Sequence, residues 1–231
     1  MTGVQTCALP IWHLTANKPD TLTISGLTGD KTYYVRVRSY TNRNGKVYYG
    51  AWSDVKSIKT ANNDITKASV SGISTKAFTG KAITQNVTVK VGNTVLKNGT
   101  DYTVSYSNNK KVGKATVKIT GKGKYGGVIT KTFKINPAKQ EIQKLTAKSK
   151  AFFIDWAQKG SATGYEIQYA TNSKFTGAKK VTITNNKTDK TTVSKLSANK
   201  KYYVRVRSYT TVKGTKYYGA WSAVKNVTTK K

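Results

Sequence analysis

Tyr202-Tyr203-Val204-Arg205-Val206-Arg207-Ser208-Tyr209 alternates apolar and polar side chains with a period of two. That is the pattern of a β-strand with one face buried and one face wet. The same stretch occurs earlier as Tyr33-Tyr34-Val35-Arg36-Val37-Arg38-Ser39-Tyr40, without a gap, at an offset of 169 residues. Each copy leads through a Gly-containing turn to Tyr-Tyr-Gly-Ala-Trp-Ser, at 48–53 and at 217–222. In the second copy Thr210–Thr215 is predicted to be the turn, and Lys216 to Val227 the returning strand. The inner face of such a hairpin must pack on a second sheet, so the repeat itself dictates an all-β sandwich.

Upstream of the second copy, Phe152, Ile154 and Trp156 alternate, as do Tyr165, Ile167 and Tyr169. With Leu196 six residues before Tyr202, these anchors resemble the fibronectin type III family over about 90 residues. Leu27, Tyr33, Val35 and Val37 repeat the later part of the pattern. The resemblance implies a core of Trp156, Tyr165, Ile167, Leu196, Tyr202, Val204 and Val206. It also implies that Tyr202 is a tyrosine corner, its hydroxyl bonded back to the preceding crossover. Thr21-Leu22-Thr23-Ile24 would be the fifth strand of the first copy. The strands that should precede it are missing, so residues 13–61 are expected to be the C-terminal strands of a truncated domain. Val35 and Val37 would then have half a sandwich to bury against, with an exposed face and an unpaired edge.

Between the copies the pattern changes. Val87, Val89 and Val91 alternate, then Tyr102, Val104 and Tyr106, then Ala115, Val117 and Ile119, then Ile129, Phe133 and Ile135. Gly/Asn turns at 92–93, 98–101 and 108–113 separate them, which is the spacing of another sandwich. Phe78-Thr79-Gly80-Lys81, Asn98-Gly99-Thr100-Asp101-Tyr102 and Thr120-Gly121-Lys122-Gly123 resemble a bacterial Ig-like repeat of Gram-positive surface proteins. The expected organisation is therefore tandem Ig-like and fibronectin type III β-sandwiches, the first truncated: 13–61, an Ig-like unit at 62–138, and a complete domain at 139–231. Residues 1–12 stand apart; the first eleven resemble a translated sequencing adapter, and they are set aside from fold reasoning.

The composition narrows function. The 231 residues carry 41 Lys+Arg against 9 Asp+Glu, a formal charge of +32, with one Cys and one His. A catalytic base near neutral pH is most often His, and His13 stands at the edge of the pattern. Metal ligation needs clustered His, Cys or carboxylates, and the acids are scattered. Asp155 and Glu166 are placed on pairing strands at outward positions, where a two-carboxylate site is conceivable; the plainer reading is that they offset neighbouring Lys. Neither a Walker A sequence nor a dinucleotide-binding glycine pattern occurs. The expectation is a protein that is not an enzyme and needs no cofactor or metal.

A binding face is the remaining option. Tyr203, Arg205, Arg207 and Tyr209 share one outer face, with Tyr217, Tyr218 and Trp221 assigned to the adjacent strand. These seven side chains form either an aromatic platform for sugars, polyanions or protein, or a self-satisfied ladder of Trp221 stacked on Arg205 or Arg207. Such a ladder resembles the one in cytokine-receptor fibronectin domains. Lysines spread over turns and outer faces would attract anionic cell-wall polymers or glycans, and no motif points to sequence-specific nucleic acid. A host or cell-surface protein is another partner open to such modules. No run is apolar enough to span a membrane. The expected role is that of monomeric structural and adhesion spacers in a secreted or cell-wall-associated bacterial protein. The alternative is a carbohydrate- or polyanion-binding accessory module of an extracellular hydrolase.

Overall fold

The computed structural model describes residues 22–24, 27–29, 31–60 and 63–231. The described residues are all-β, with no helix among them. The chain divides into two compact units, Met1–Ala61 and Asn62–Lys231. Residues 1–12, His13 and Thr21 lie outside the described residues.

In the first unit, β1 (Thr32–Val35) pairs antiparallel with β4 (Lys56–Lys59), and β2 (Tyr40–Arg43) forms a hairpin with β3 (Lys46–Tyr49). Asn44 and Gly45 make its two-residue turn at φ of 50° and 79°, the left-handed pair that matches strand twist. Leu22–Ile24, expected as a strand, is irregular. Residues 36–39, expected to continue β1, are irregular too: no third strand flanks them among the described residues, and a strand needs a partner for its N–H and C=O groups. Val35 and Val37 are 38% and 67% exposed.

The second unit holds two sandwiches. The first contains β5 (Asn63–Asp64), β6 (Ser69–Ser71), β7 (Lys76–Ala77), β8 (Thr88–Val91), β9 (Thr94–Val95), β10 (Tyr102–Ser107), β11 (Gly113–Gly121), β12 (Tyr125–Gly126) and β13 (Val128–Asn136). Its larger sheet runs β10-β11-β13-β7 and its smaller one β6-β8-β9. Between them Val89, Ala115, Val117, Ile119, Phe133 and Ile135 form one buried cluster, because alternate residues on each strand point inward. Tyr102 closes it and donates its hydroxyl to Val87 O at 2.8 Å.

The second sandwich contains β14 (Ile142–Lys148), β15 (Ala151–Trp156), β16 (Gly164–Ala170), β17 (Lys179–Ile183), β18 (Lys190–Val193), β19 (Lys201–Val212), β20 (Thr215–Tyr218) and β21 (Lys225–Thr228). One sheet is β14-β15-β18; the other is β17-β16-β19-β20, with β21 also on β19. Trp156, Tyr165, Ile167, Val204 and Val206 are fully buried between them, with Leu196 and Tyr202 at the rim. Ser197 N–H donates to the Tyr202 hydroxyl at 3.3 Å, and Thr28 N–H donates to Tyr33 at 3.0 Å in the first copy. Thr229 Oγ1 ties the same corner by accepting from Lys200 N–H and donating to Ser197 O, as Thr60 does with Lys31 and Thr28.

Asp155 and Glu166 do not lie on pairing strands. Asp155 is on β15, which pairs with β14 and β18, whereas Glu166 is on β16 in the other sheet. Consecutive strands here cross between layers, so chain neighbours are not sheet neighbours.

The two sandwiches meet at a close joint. Ser208 Oγ donates to Ala138 O at 3.2 Å. A Cβ added to Gly219 would stand 2.9 Å from Ala138 O and 3.0 Å from Pro137 O. Residues 137–138 therefore run against β19 and the bend after β20.

Candidate functional site: the outer face of the C-terminal sandwich

The bend after β20 builds this face. Gly219 N–H donates to Ser208 O, then the chain leaves the ladder and returns with Ser222 N–H on Val206 O at 2.8 Å. Ser222 Oγ accepts from Val206 N–H at 3.0 Å and donates to Ala223 O at 2.9 Å, filling the place of the missing backbone partner. The bulge swings the indole of Trp221 across the arginines of β19. Ser53 does the same for Val37 in the first copy.

Trp221 stacks on both arginines: Arg205 Cζ is 4.6 Å and Arg207 Cζ 4.3 Å from its ring centre. Phe175 covers the far side of Arg205 at 4.0 Å, and Tyr218 that of Arg207 at 3.9 Å. The rungs thus run Phe175, Arg205, Trp221, Arg207, Tyr218. In-plane hydrogen bonds complete each cation. Arg205 Nε and Nη2 donate to Gln168 Oε1; Arg207 Nε and Nη2 donate to Glu166 Oε2 at 3.0 and 2.7 Å. Lys180 Nζ takes the other carboxylate oxygen at 3.0 Å.

Glu166 is 1% exposed. Burial opposes its charge, but hydrogen bonds from Arg207 and Lys180, and then their charges, outweigh burial and hold the carboxyl below its ordinary value. Burial, followed by the charge of Arg207, lowers Arg205 from its ordinary value; a guanidinium stays cationic regardless.

The seven face residues separate. Arg205, Arg207, Tyr218 and Trp221 are brought together in the ladder, and Tyr203 extends the same face beneath Lys201 Nζ at 5.4 Å. Tyr209 shares the face but is 2% exposed, covered by Tyr218 at 6.1 Å and Lys216 at 4.7 Å. Tyr217 is on the opposite face. The turn is only Lys213-Gly214, at φ of 46° and 78°, so Tyr218 stands opposite Tyr209 and Tyr217 opposite Thr210. Four ladder members were not anticipated: Glu166 as an anchor, Gln168, Phe175 and Lys180. Gln168 and Lys180 sit at outward positions of alternating strands and were accessible to a face-by-face reading. Phe175 was not, since it reaches Arg205 from a loop with φ of 59°.

Strand order, the corner tyrosine and the buried tryptophan agree with one family. Residues 137–224 match the family model of the Fibronectin type III domain. That match runs from just before β14 through the bend after β20. Similar solved structures include the chicken CNTN1 FN1-FN3 domains, 16% identical over 85% of this chain and 78% of that one, with a TM-score of 0.37. The FN5 domain of Drosophila Lar is 20% identical over 41% of this chain and 98% of that one, TM-score 0.32. A beta-1,2-glucanase from Parabacteroides distasonis is 18% identical over 51% of this chain but 18% of its own, TM-score 0.35. No curated protein matches the chain.

Proposed function

We propose that the chain is a non-catalytic spacer in a secreted or cell-wall-associated bacterial protein, with an Ig-like module at 62–138, a fibronectin type III module at 139–231 and part of another at 13–61. The observation that carries this reading is the joint at Ala138, Ser208 and Gly219. A spacer must transmit distance, and a connection packed against one of the modules it joins does so where a free linker would not. The ladder adds support. Its guanidinium groups are stacked above and below and bonded in plane, which stiffens the outer sheet face. The lysine-rich exterior suits retention at an anionic surface.

Two measurements test the proposal. Spin labels at Lys97→Cys and Lys187→Cys, in a full chain carrying Cys7→Ser, are expected to give one narrow distance distribution, which Gly219→Val broadens. A broad distribution in the unmodified joint contradicts a spacer. Antibody against the chain is expected to label intact, unpermeabilised source cells; labelling only after permeabilisation contradicts the location.

A further inference from the structure

Beside the joint lies an open cleft of about 640 Å³, lined by Tyr217, by Lys114, Thr132 and Lys134 of the larger sheet, and by Ser74 and Thr75. Lys114 and Lys134 are direct cross-strand partners on β11 and β13, and both are exposed. Like charges so placed are destabilising by themselves. Neither forms an ion pair among the described residues, and β10, β11 and β13 contain no Asp or Glu to offset them. The pattern continues along the same outer face. Thr116 is flanked by Thr132 and Ser107, and Lys118 by Thr130 and Ser105. Lysine rungs therefore alternate with a hydroxyl rung, roughly 13 Å from the first lysine rung to the second at 3.3 Å per residue.

We infer that this cleft and the face leading from it bind a linear acidic polysaccharide, with Lys114, Lys134 and Lys118 on its carboxylates and the threonine and serine hydroxyls on its sugar hydroxyls. Tyr217 supplies an apolar contact for one ring. A single-stranded nucleic acid would call for a row of aromatic side chains to stack successive bases, and the face offers one. An uncompensated cation pair gains from an anionic ligand what the folded protein alone lacks. The inference does not depend on the spacer reading, since the cleft would bind in any setting.

The test is fluorescence anisotropy of the full chain with labelled alginate oligosaccharide across a salt series. Lys114→Gln/Lys134→Gln is expected to weaken binding by about tenfold or more, the loss of two charge-assisted contacts. Tyr217→Ala is expected to weaken it by about threefold, the smaller share of one ring contact. Lys230→Gln/Lys231→Gln removes the same charge elsewhere and is expected to stay within about twofold of wild type. No variant should fall far below the wild-type unfolding midpoint, and Lys114→Gln/Lys134→Gln should match or exceed it, since it removes a like-charge pair. Equal weakening by the two lysine pairs, or no alginate binding at low salt, overturns the cleft. Tighter binding of a poly-dT oligonucleotide of equal charge, lost in the same variant, overturns the choice of occupant.

Discussion

Arg207 Cζ lies 4.3 Å from the ring centre of Trp221, and Arg38 lies 4.3 Å from Trp52 in the first copy. The contact recurs although the segment carrying Arg38 is irregular there and the strand carrying Arg207 is paired with β16. The local Trp-Ser bulge is therefore enough to set the stack. The in-plane bonds need the neighbouring strand as well: Glu166 and Gln168 lie on β16, and they fix the arginines of the second copy in plane.

Phe175 holds a left-handed backbone at φ of 59° to cover Arg205. For a residue with a Cβ that conformation costs roughly 1–2 kcal/mol. Replacing Phe175 by Ala loses the stack and keeps the strain, whereas Gly loses the stack and relieves it. Phe175→Gly is thus expected to be more stable than Phe175→Ala by about 0.5–1.5 kcal/mol in urea unfolding. The usual order, Ala above Gly, would contradict the assignment of strain.

Glu166 has a folded-state carboxyl held below its ordinary value of 4.5, so it favours folding above that value. The contribution is fully present near neutral pH and is lost as pH falls through the lowered folded-state value. Glu166→Gln is expected to cost about 1–3 kcal/mol at pH 7, where Arg207 and Lys180 lose their carboxylate. The gap between wild type and variant should narrow only on the acid side of 4.5. A gap that is constant down to the acid limit, in denaturant melts at several pH values, would remove the ionic role of Glu166.

Tyr202→Phe should destabilise by about 0.5–1.5 kcal/mol, the ordinary worth of one hydrogen bond, because Ser197 N–H loses its acceptor. Unchanged stability would mean that Thr229 alone secures the corner through Ser197 O and Lys200.

Much of the fold is legible in the chain because period-two alternation marks inward side chains without reference to partners. Val204, Val206, Ile167 and Trp156 obey that rule and are fully buried. What pairing decides is less visible. A turn at Thr210–Thr215 instead of Lys213-Gly214 puts Tyr217 on the ladder face, and a one-residue shift moves a side chain through the sheet. Reading chain order as sheet order sets Asp155 beside Glu166, although their strands belong to different layers. The burial of Glu166 depends on Arg207 and Lys180, 41 and 14 residues away, which no local pattern joins. Phe175 lies in a loop with no period at all. In the first copy Val37 carries the inward signature yet is 67% exposed, since alternation names a face and cannot supply what covers it.

The decisive measurement is Trp221→Ala, tested in one preparation by urea unfolding and by glycan binding at high salt. As the shared rung of two cation–π contacts, Trp221 is expected to leave with about 1–4 kcal/mol of stability. Affinity for neutral and acidic glycans is expected to stay within about twofold, since two stacked cations already occupy the indole. Salt-resistant binding abolished with stability intact would make the face a recognition platform and would contradict the ladder.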